Sequence, residues 1–377
     1  MIAAKRLDRR SAKLLTIDAD GRMRHLPRTA LASLFSPGDI VIANDAATLP
    51  ASLQGSHCTS GEQIEVRLAA WVSIRDPMRF AAIAFGAGDY RSRTEDRMLP
   101  PSVAPGDRLT LGPLVAIVEC PLGDPRLFRL RFLGDCATVL AGLARHGRPI
   151  QYAHVPEPLV LRDVWTRIAA NPIAFEPPSA GFALDWHTQA VWRRRGIGFA
   201  TLTHAAGISS TGDPVLDLRL PFDEPYRIPE HTAAAIIRAK SDARRIIAIG
   251  TTVVRALESA ANADGSVRAG DGVASGRIAR ETPLRVVDAI LTGVHQPGES
   301  HFELLRAFAN DALLDQISPA FDQHGYRSHE FGDSMLIERG CRIAPSPTAD
   351  QLTIGVPGPY QSKGTATDRS ETQETTP

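Results

Sequence analysis

Ile246-Ile247-Ala248-Ile249-Gly250-Thr251-Thr252-Val253-Val254-Arg255-Ala256-Leu257-Glu258-Ser259 is the stretch that decides the fold. Arg244–Ile249, with its apolar run Ile246–Ile249, reads as a buried strand. Gly250-Thr251-Thr252 turns that strand directly into a helix over 253–261. A strand feeding a helix through so short a turn is a unit of an α/β domain. The bare helix start presents unsatisfied N–H groups and a partial positive charge, which suit a carboxylate or phosphate. On the helix, Val253, Val254, Leu257 and Ala261 share one face. Thr252, Arg255 and Glu258, at steps of three, share the other. Two readings follow. Thr251, Thr252, Arg255 and Glu258 hold a ligand, or Thr252 caps the helix and Arg255–Glu258 is a surface ion pair.

The same alternation extends to both sides. Strands are predicted at 14–17 and 22–26, joined by Asp20-Gly21, and at 39–43, ending on Asn44-Asp45. Further strands are predicted at 199–203, 284–291 and 331–337. Helices are predicted at 137–146, 229–243 with Pro229 in the first turn, and 300–310 opened by Ser300-x-x-Glu303. Between residues 61 and 135 the pattern differs. Short strand-like runs at 63–72, 79–85, 108–120 and 127–132 alternate with turns, which predicts a small barrel or sandwich. Gly86-x-Gly88 opens no helix and reads as a hairpin, not a phosphate loop. The division expected is an α/β domain in two parts, 1–60 and 136–340, a β-barrel at 61–135, and a flexible tail at 341–377, rich in Pro, Ser, Thr and Gly.

The 377 residues carry 42 basic and 42 acidic side chains, so the formal charge is zero. That excludes a globally basic nucleic-acid binder, though not a local patch. Cys58, Cys120, Cys136 and Cys341 form no C-x-x-C pair, and no Cys/His cluster has zinc spacing. Such sparse cysteine points to a reducing cytoplasm. No 18-residue apolar run spans a membrane, and the charged start Met1–Asp8 with no apolar run after it predicts no signal peptide.

Other candidates stand at strand ends. Asp45 is either part of a polar turn or a functional carboxylate. His295, in Leu291-Thr292-Gly293-Val294-His295-Gln296-Pro297, and His204 each follow a strand and titrate near neutral pH when unperturbed. Each is either a polar loop residue or a site residue, and parallel strands would bring both to one edge. Arg193, Arg194 and Arg195 with Trp192 form a basic patch. With the N-terminal thirty residues, which hold eight Lys/Arg, it is either a nucleic-acid contact or a solvated helix end.

Five segments in order resemble one family: Asn44-Asp45-Ala46-Ala47-Thr48-Leu49-Pro50-Ala51, Pro178-Ser179-Ala180-Gly181, Gly250–Ser259, Val287–Pro297 and Gly332-Asp333-Ser334-Met335-Leu336-Ile337. They are similar to S-adenosylmethionine:tRNA ribosyltransferase-isomerases over residues from about 5 to 337. The resemblance implies a discontinuous α/β domain with an inserted small β-barrel. It also implies transfer and isomerisation of the ribosyl moiety of S-adenosylmethionine onto the aminomethyl group of a 7-deazaguanine in tRNA. Epoxyqueuosine forms; adenine and methionine leave. S-adenosylmethionine is the co-substrate, with no metal or further cofactor.

Against the family pattern, Ala46-Ala47 lacks an arginine and Gly181-Phe182-Ala183-Leu184 lacks a histidine. A histidine-rich segment becomes Arg219-Leu220-Pro221-Phe222-Asp223-Glu224. Asp45, His204, Glu224, Arg255, Glu258, His295 and Asp333 remain. The roles expected are acid–base work for His295, Asp45 and Glu224. Substrate binding falls to Thr251, Thr252, Arg255, Glu258, His204 and Asp333, with Arg255 on the methionine carboxylate or a phosphate. RNA contact falls to Arg193–Arg195. A cytoplasmic monomer acting on tRNA is expected. The alternatives are a paralogue acting on another small nucleoside-like substrate, or a non-catalytic RNA-binding module. A tRNA enzyme needs the arginine run, the basic N-terminal segment and the pocket on one face.

Overall fold

The computed structural model describes residues 2–4 and 11–340. The tail expected at 341–377, and Lys5, Arg6, Arg9 and Arg10 of the basic segment, lie outside the described residues. Nine strands make one sheet in the order Gly270–Ala274, Glu224–Ile228, Gly198–His204, Ile40–Asn44, Ile246–Ile249, Ala289–Gly293, Ser334–Glu338, Lys13–Ile17 and Met23–Pro27. The four strands from Gly198–His204 to Ala289–Gly293 run parallel. Their flanks, Glu224–Ile228 and Ser334–Glu338, run antiparallel to them. The carboxyl ends of the parallel four therefore share an edge with the amino ends of those two.

The period-two pleat sorts the central strands into two cores. Ile40, Ile42, Ile246, Ala248 and Ile290 pack under the helices Glu230–Ser241, Thr251–Ser259 and Asp311–Gln323. Val41, Ala43, Ile247, Ile249 and Leu291 pack with Leu31, Phe35 and Trp192 on the other side. Burial on both faces is why these strands read as unbroken apolar runs. Each buried isoleucine, valine or leucine among them stabilises the fold by roughly 1.5–3 kcal/mol.

Six strands, all antiparallel, close a barrel: Leu114–Asp124, Leu127–Phe132, Arg79–Phe85, Gln63–Trp71, Ser52–His57 and Arg108–Leu111. It lies in sequence between the sheet strands Ile40–Asn44 and Gly198–His204. Its first strand, Ser52–His57, precedes residue 61. That strand offers one large apolar side chain, Leu53, and leaves no alternating signature. The run 108–120 is two strands, broken at Gly112, whose φ of 61° turns the chain back. Glu65 and Arg67 are buried on the barrel's other strand face. There Glu65 accepts from Arg67 Nε at 2.7 Å and from Arg97 Nη1 at 2.5 Å. Burial alone raises the Glu65 carboxyl; the two guanidiniums outweigh it and hold it below its usual range.

The barrel closes where Ser52–His57 pairs with Arg108–Leu111. A Cβ on Gly55 would stand 1.8 Å from the Thr110 carbonyl oxygen, a backbone atom that cannot swing away. Gly55→Ala is expected to cost about 2–3 kcal/mol through forced separation of that seam. Urea unfolding of both proteins measures it, and an unchanged midpoint would show that the seam yields.

Candidate active site

Asn44 ties two strand ends together at the shared edge. Its Oδ1 accepts from the N–H groups of Ala46 and His204, at 3.0 and 2.9 Å. Its Nδ2 donates to the His204 carbonyl at 2.9 Å and to Thr252 Oγ1 at 3.3 Å. The next residue, Asp45, is half-buried and accepts three neutral donors. They are Thr201 Oγ1 at 2.8 Å, Thr203 Oγ1 at 2.6 Å and Asn171 Nδ2 at 3.4 Å. Alternation along 201–203 puts both hydroxyls on one face, so a single carboxylate reaches both.

His204 points the other way, into a buried ionic knot. Glu224 pairs with Arg255 Nη1 and accepts the Gly207 N–H at 2.6 Å. Arg255 Nη2 donates to the carbonyls of Phe222, Ala274 and Gly276 at 3.2, 2.9 and 3.3 Å. Burial pushes the Glu224 carboxyl up, with Arg255 pulling against it. His204 Nε2 lies 3.5 Å from Glu224, and neither ring nitrogen has a hydrogen bond. Burial, and then the Arg255 charge, push the His204 imidazole down to about 3, so it is neutral at pH 7.

The helix after Gly250 is therefore not divided as its spacing predicts. Arg255 is buried with Val253, Val254 and Leu257 rather than sharing an open face with Thr252 and Glu258. The pull comes from a partner 31 residues away, Glu224, which no local period reveals. Thr251 is buried in the first turn and Thr252 meets Asn44. Glu258, two turns further, accepts the N–H groups of Arg285, Val286 and Val287 at 2.7, 3.0 and 2.9 Å. It holds a loop. Glu258→Gln is expected to cost about 1–2 kcal/mol, the worth of charge-assisted bonds in part-exposed surroundings. Ligand affinity at the strand edge should stay the same; a titration showing weakened binding at full stability would place Glu258 in the site.

Asp333 likewise accepts backbone N–H groups, from Lys13 at 2.5 Å and Arg327 at 2.8 Å, and fixes the loop ahead of the Ser334–Glu338 strand. His295 Nε2 lies 3.0 Å from Thr292 Oγ1, its Nδ1 lies 3.4 Å from Glu299, and its ring stacks on His301 at 4.9 Å. The structure thus brings Asp45, His204, Glu224, Thr251, Thr252, Arg255, His295 and Asp333 to one sheet edge. Arg193–Arg195 are elsewhere. Arg193 and Arg194 are exposed at the end of the helix Trp186–Arg194, and Arg195 donates to the carbonyls of Ala32 and Phe35. The chain next enters the amino end of the strand Gly198–His204. The arginine run is therefore about 20 Å, the length of that seven-residue strand, from the candidate edge. On the edge's own side, Trp71, Arg129, Arg219, Phe222 and Arg277 line a groove between the barrel and the loop that caps Arg255.

Several polar residues here escape any local pattern. Tyr152 Oη donates to Glu176 at 2.5 Å, and the Ser209 N–H donates to the same carboxylate at 3.1 Å. Burial pushes Glu176 up. His154 pairs with Glu330 and stacks on His329. These contacts join positions 152–154, 176, 209 and 329–330, and no spacing in the sequence links them.

The family model described as queuosine biosynthesis protein matches residues 1–337. An S-adenosylmethionine:tRNA ribosyltransferase-isomerase from Thermus thermophilus is 32% identical over 334 residues, covering 86% of this chain and 92% of that protein. One from Sorangium cellulosum is 33% identical over 359 residues, covering 88% and 93%. The crystal structure of an S-adenosylmethionine tRNA ribosyltransferase from Thermotoga maritima aligns with 87% of this chain and 93% of that one, at 20% identity and a TM-score of 0.45.

Proposed function

The chain belongs to the queuosine biosynthesis protein family, and from that premise we propose that it is an S-adenosylmethionine-dependent ribosyltransferase-isomerase. It transfers and isomerises the ribosyl moiety onto a 7-deazaguanine base in tRNA, giving epoxyqueuosine. The observation that carries this reading is the family match over 1–337, which contains both the sheet edge and the barrel.

The chemistry asks for a base beside a ribose C–H made acidic by the sulfonium, and a proton donor for the departing adenine. Asp45 suits the first task, because two hydroxyls and an amide fix its carboxylate at the strand end. His295, between Thr292 and Glu299, suits the second. The helix start at Thr251-Thr252 offers N–H groups to the methionine carboxylate. Glu224, His204 and Arg255 set the floor of the site from behind. The groove with Trp71, Arg129, Arg219, Phe222 and Arg277 supports an RNA partner on the site's side, through phosphate contacts and base stacking. The arginine run at 193–195 lies away from this edge, so the expectation that a tRNA enzyme needs it on the pocket's face is not met, and we assign the run no share in that contact. No helix among the described residues is long and apolar enough to cross a membrane. A monomer working in the cytoplasm, built as one discontinuous α/β domain with the barrel inserted, completes the proposal.

The test is incubation with S-adenosylmethionine labelled in the ribose, with and without tRNA bearing the aminomethyl-deazaguanine. Adenine release and label transfer that require the tRNA are expected. Release with a free nucleoside alone would favour a paralogue acting on small molecules. RNA binding with no consumption of S-adenosylmethionine would make the chain a binding module.

A further inference from the structure

The proposed reaction leaves one cluster at this edge without a task. His154, His329 and Glu330 present imidazole nitrogens and a carboxylate oxygen that all lie within 4.8 Å of one another. His154 Nε2 is 2.8 Å from Glu330 Oε2, and the two imidazoles stack at 4.1 Å with their planes 20° apart. The loops that carry them are distant in sequence and converge in space. The loop at 326–333 is firmly held, by Asp333 on the N–H groups of Lys13 and Arg327, and by Phe331, buried against Phe182. His329 adopts a φ of 68°, a left-handed conformation uncommon outside glycine, and this sets its ring beside His154.

Two imidazoles and one carboxylate are a donor set that hard cations such as magnesium and calcium use poorly, since those prefer all-oxygen shells. Zinc and ferrous iron take it readily and keep a position open when the protein supplies three ligands. Ligands on such an ion stand about 3.4 Å apart, from bonds of about 2.1 Å. His329 is exposed and can close the remaining distance by side-chain rotation. We propose that His154, His329 and Glu330 bind one divalent transition-metal ion, of the zinc or ferrous class, with a coordination position left for water or a substrate oxygen. The proposal goes beyond the ribosyl-transfer reading, and beyond the resemblance, which implies no metal.

The experiment is equilibrium dialysis of the full chain against zinc, with cobalt(II) as a visible-absorption probe and magnesium as competitor. One zinc per chain is expected, with a four- or five-coordinate cobalt spectrum and no displacement by excess magnesium. His329→Ala and Glu330→Gln should each weaken binding at least about tenfold, and His154→Ala with His329→Ala should abolish it. His231→Ala, at an exposed histidine elsewhere, should change nothing. His329 is exposed, so its variant should unfold at the parent's temperature, which separates lost ligands from lost fold. Absence of stoichiometric zinc, equal binding by the double variant, or displacement by magnesium would each overturn the site. No tRNA or S-adenosylmethionine enters the assay, so its outcome is independent of the proposed activity.

Discussion

Arg255→Ala is expected to destabilise the protein by about 3–5 kcal/mol, because it leaves a charge buried without its partner. Glu224 would keep only the Gly207 N–H. The carbonyls of Phe222, Ala274 and Gly276 would lose a shared donor inside the fold. Arg255→Lys should recover only a part, since one ammonium cannot span a carboxylate and three carbonyls. Removing both charges, as Arg255→Met with Glu224→Leu, should cost less than Arg255→Ala alone, because no orphan charge remains. Urea unfolding of the four proteins decides the matter. A loss below about 1 kcal/mol for Arg255→Ala would return the residue to the solvent side of its helix, where a lost exposed pair costs that little.

Acid should weaken the fold through His204. Its folded pKa of about 3 lies below the unfolded value of 6.5, so the unfolded chain takes up the proton first. The stability this supplies is complete above pH 6.5 and is lost as pH falls toward 3. The loss is about 2 kcal/mol by pH 5 and about twice that near pH 3. His301, also pushed down to about 3, mainly by burial, adds a slope in the same window. His204→Leu removes one titrating group and two unpartnered ring nitrogens. Its stability should fall less steeply between pH 6.5 and 4 than the parent's. Parallel curves for parent and variant would show that His204 reaches water.

Sequence pattern and structure agree wherever one segment carries its own cause. Ile246–Ile249 and its helix, the Asp20-Gly21 hairpin and the strand ending at Asn44 each announce themselves through apolar period or turn chemistry. The helix Asp311–Gln323 is not among the expected elements, although its signals are legible: Asn310 accepts the Leu313 N–H, and Leu313, Leu314, Ile317 and Phe321 share a buried face. Pro319 reads as a breaker, yet it stands exposed in the helix without clashing with that face. The edge strand Gly270–Ala274 holds two glycines and is made by its neighbour, Glu224–Ile228, rather than by propensity. In the site, strand ends gave Asp45, His204 and His295 because a parallel sheet collects such ends. The directions of Arg255 and Glu258 were hidden, because each is set by acceptors or donors from other segments.

The placement of the barrel in the chain also sets a timetable. Ile40–Asn44 is a central strand, yet both its sheet neighbours, Gly198–His204 and Ile246–Ile249, are made much later. At about 5–20 residues per second, the ribosome needs on the order of 8–30 s to supply the nearer one. Through that interval the barrel can already close, since Ser52 to Phe132 emerges without a break. The apolar Ile40–Ala43 segment meanwhile has both edges unpaired, the condition in which strands seek foreign partners. Synthesis thus delivers the barrel strands long before the sheet can close around Ile40–Asn44, and crowding of nascent chains in that interval favours mispairing of this strand.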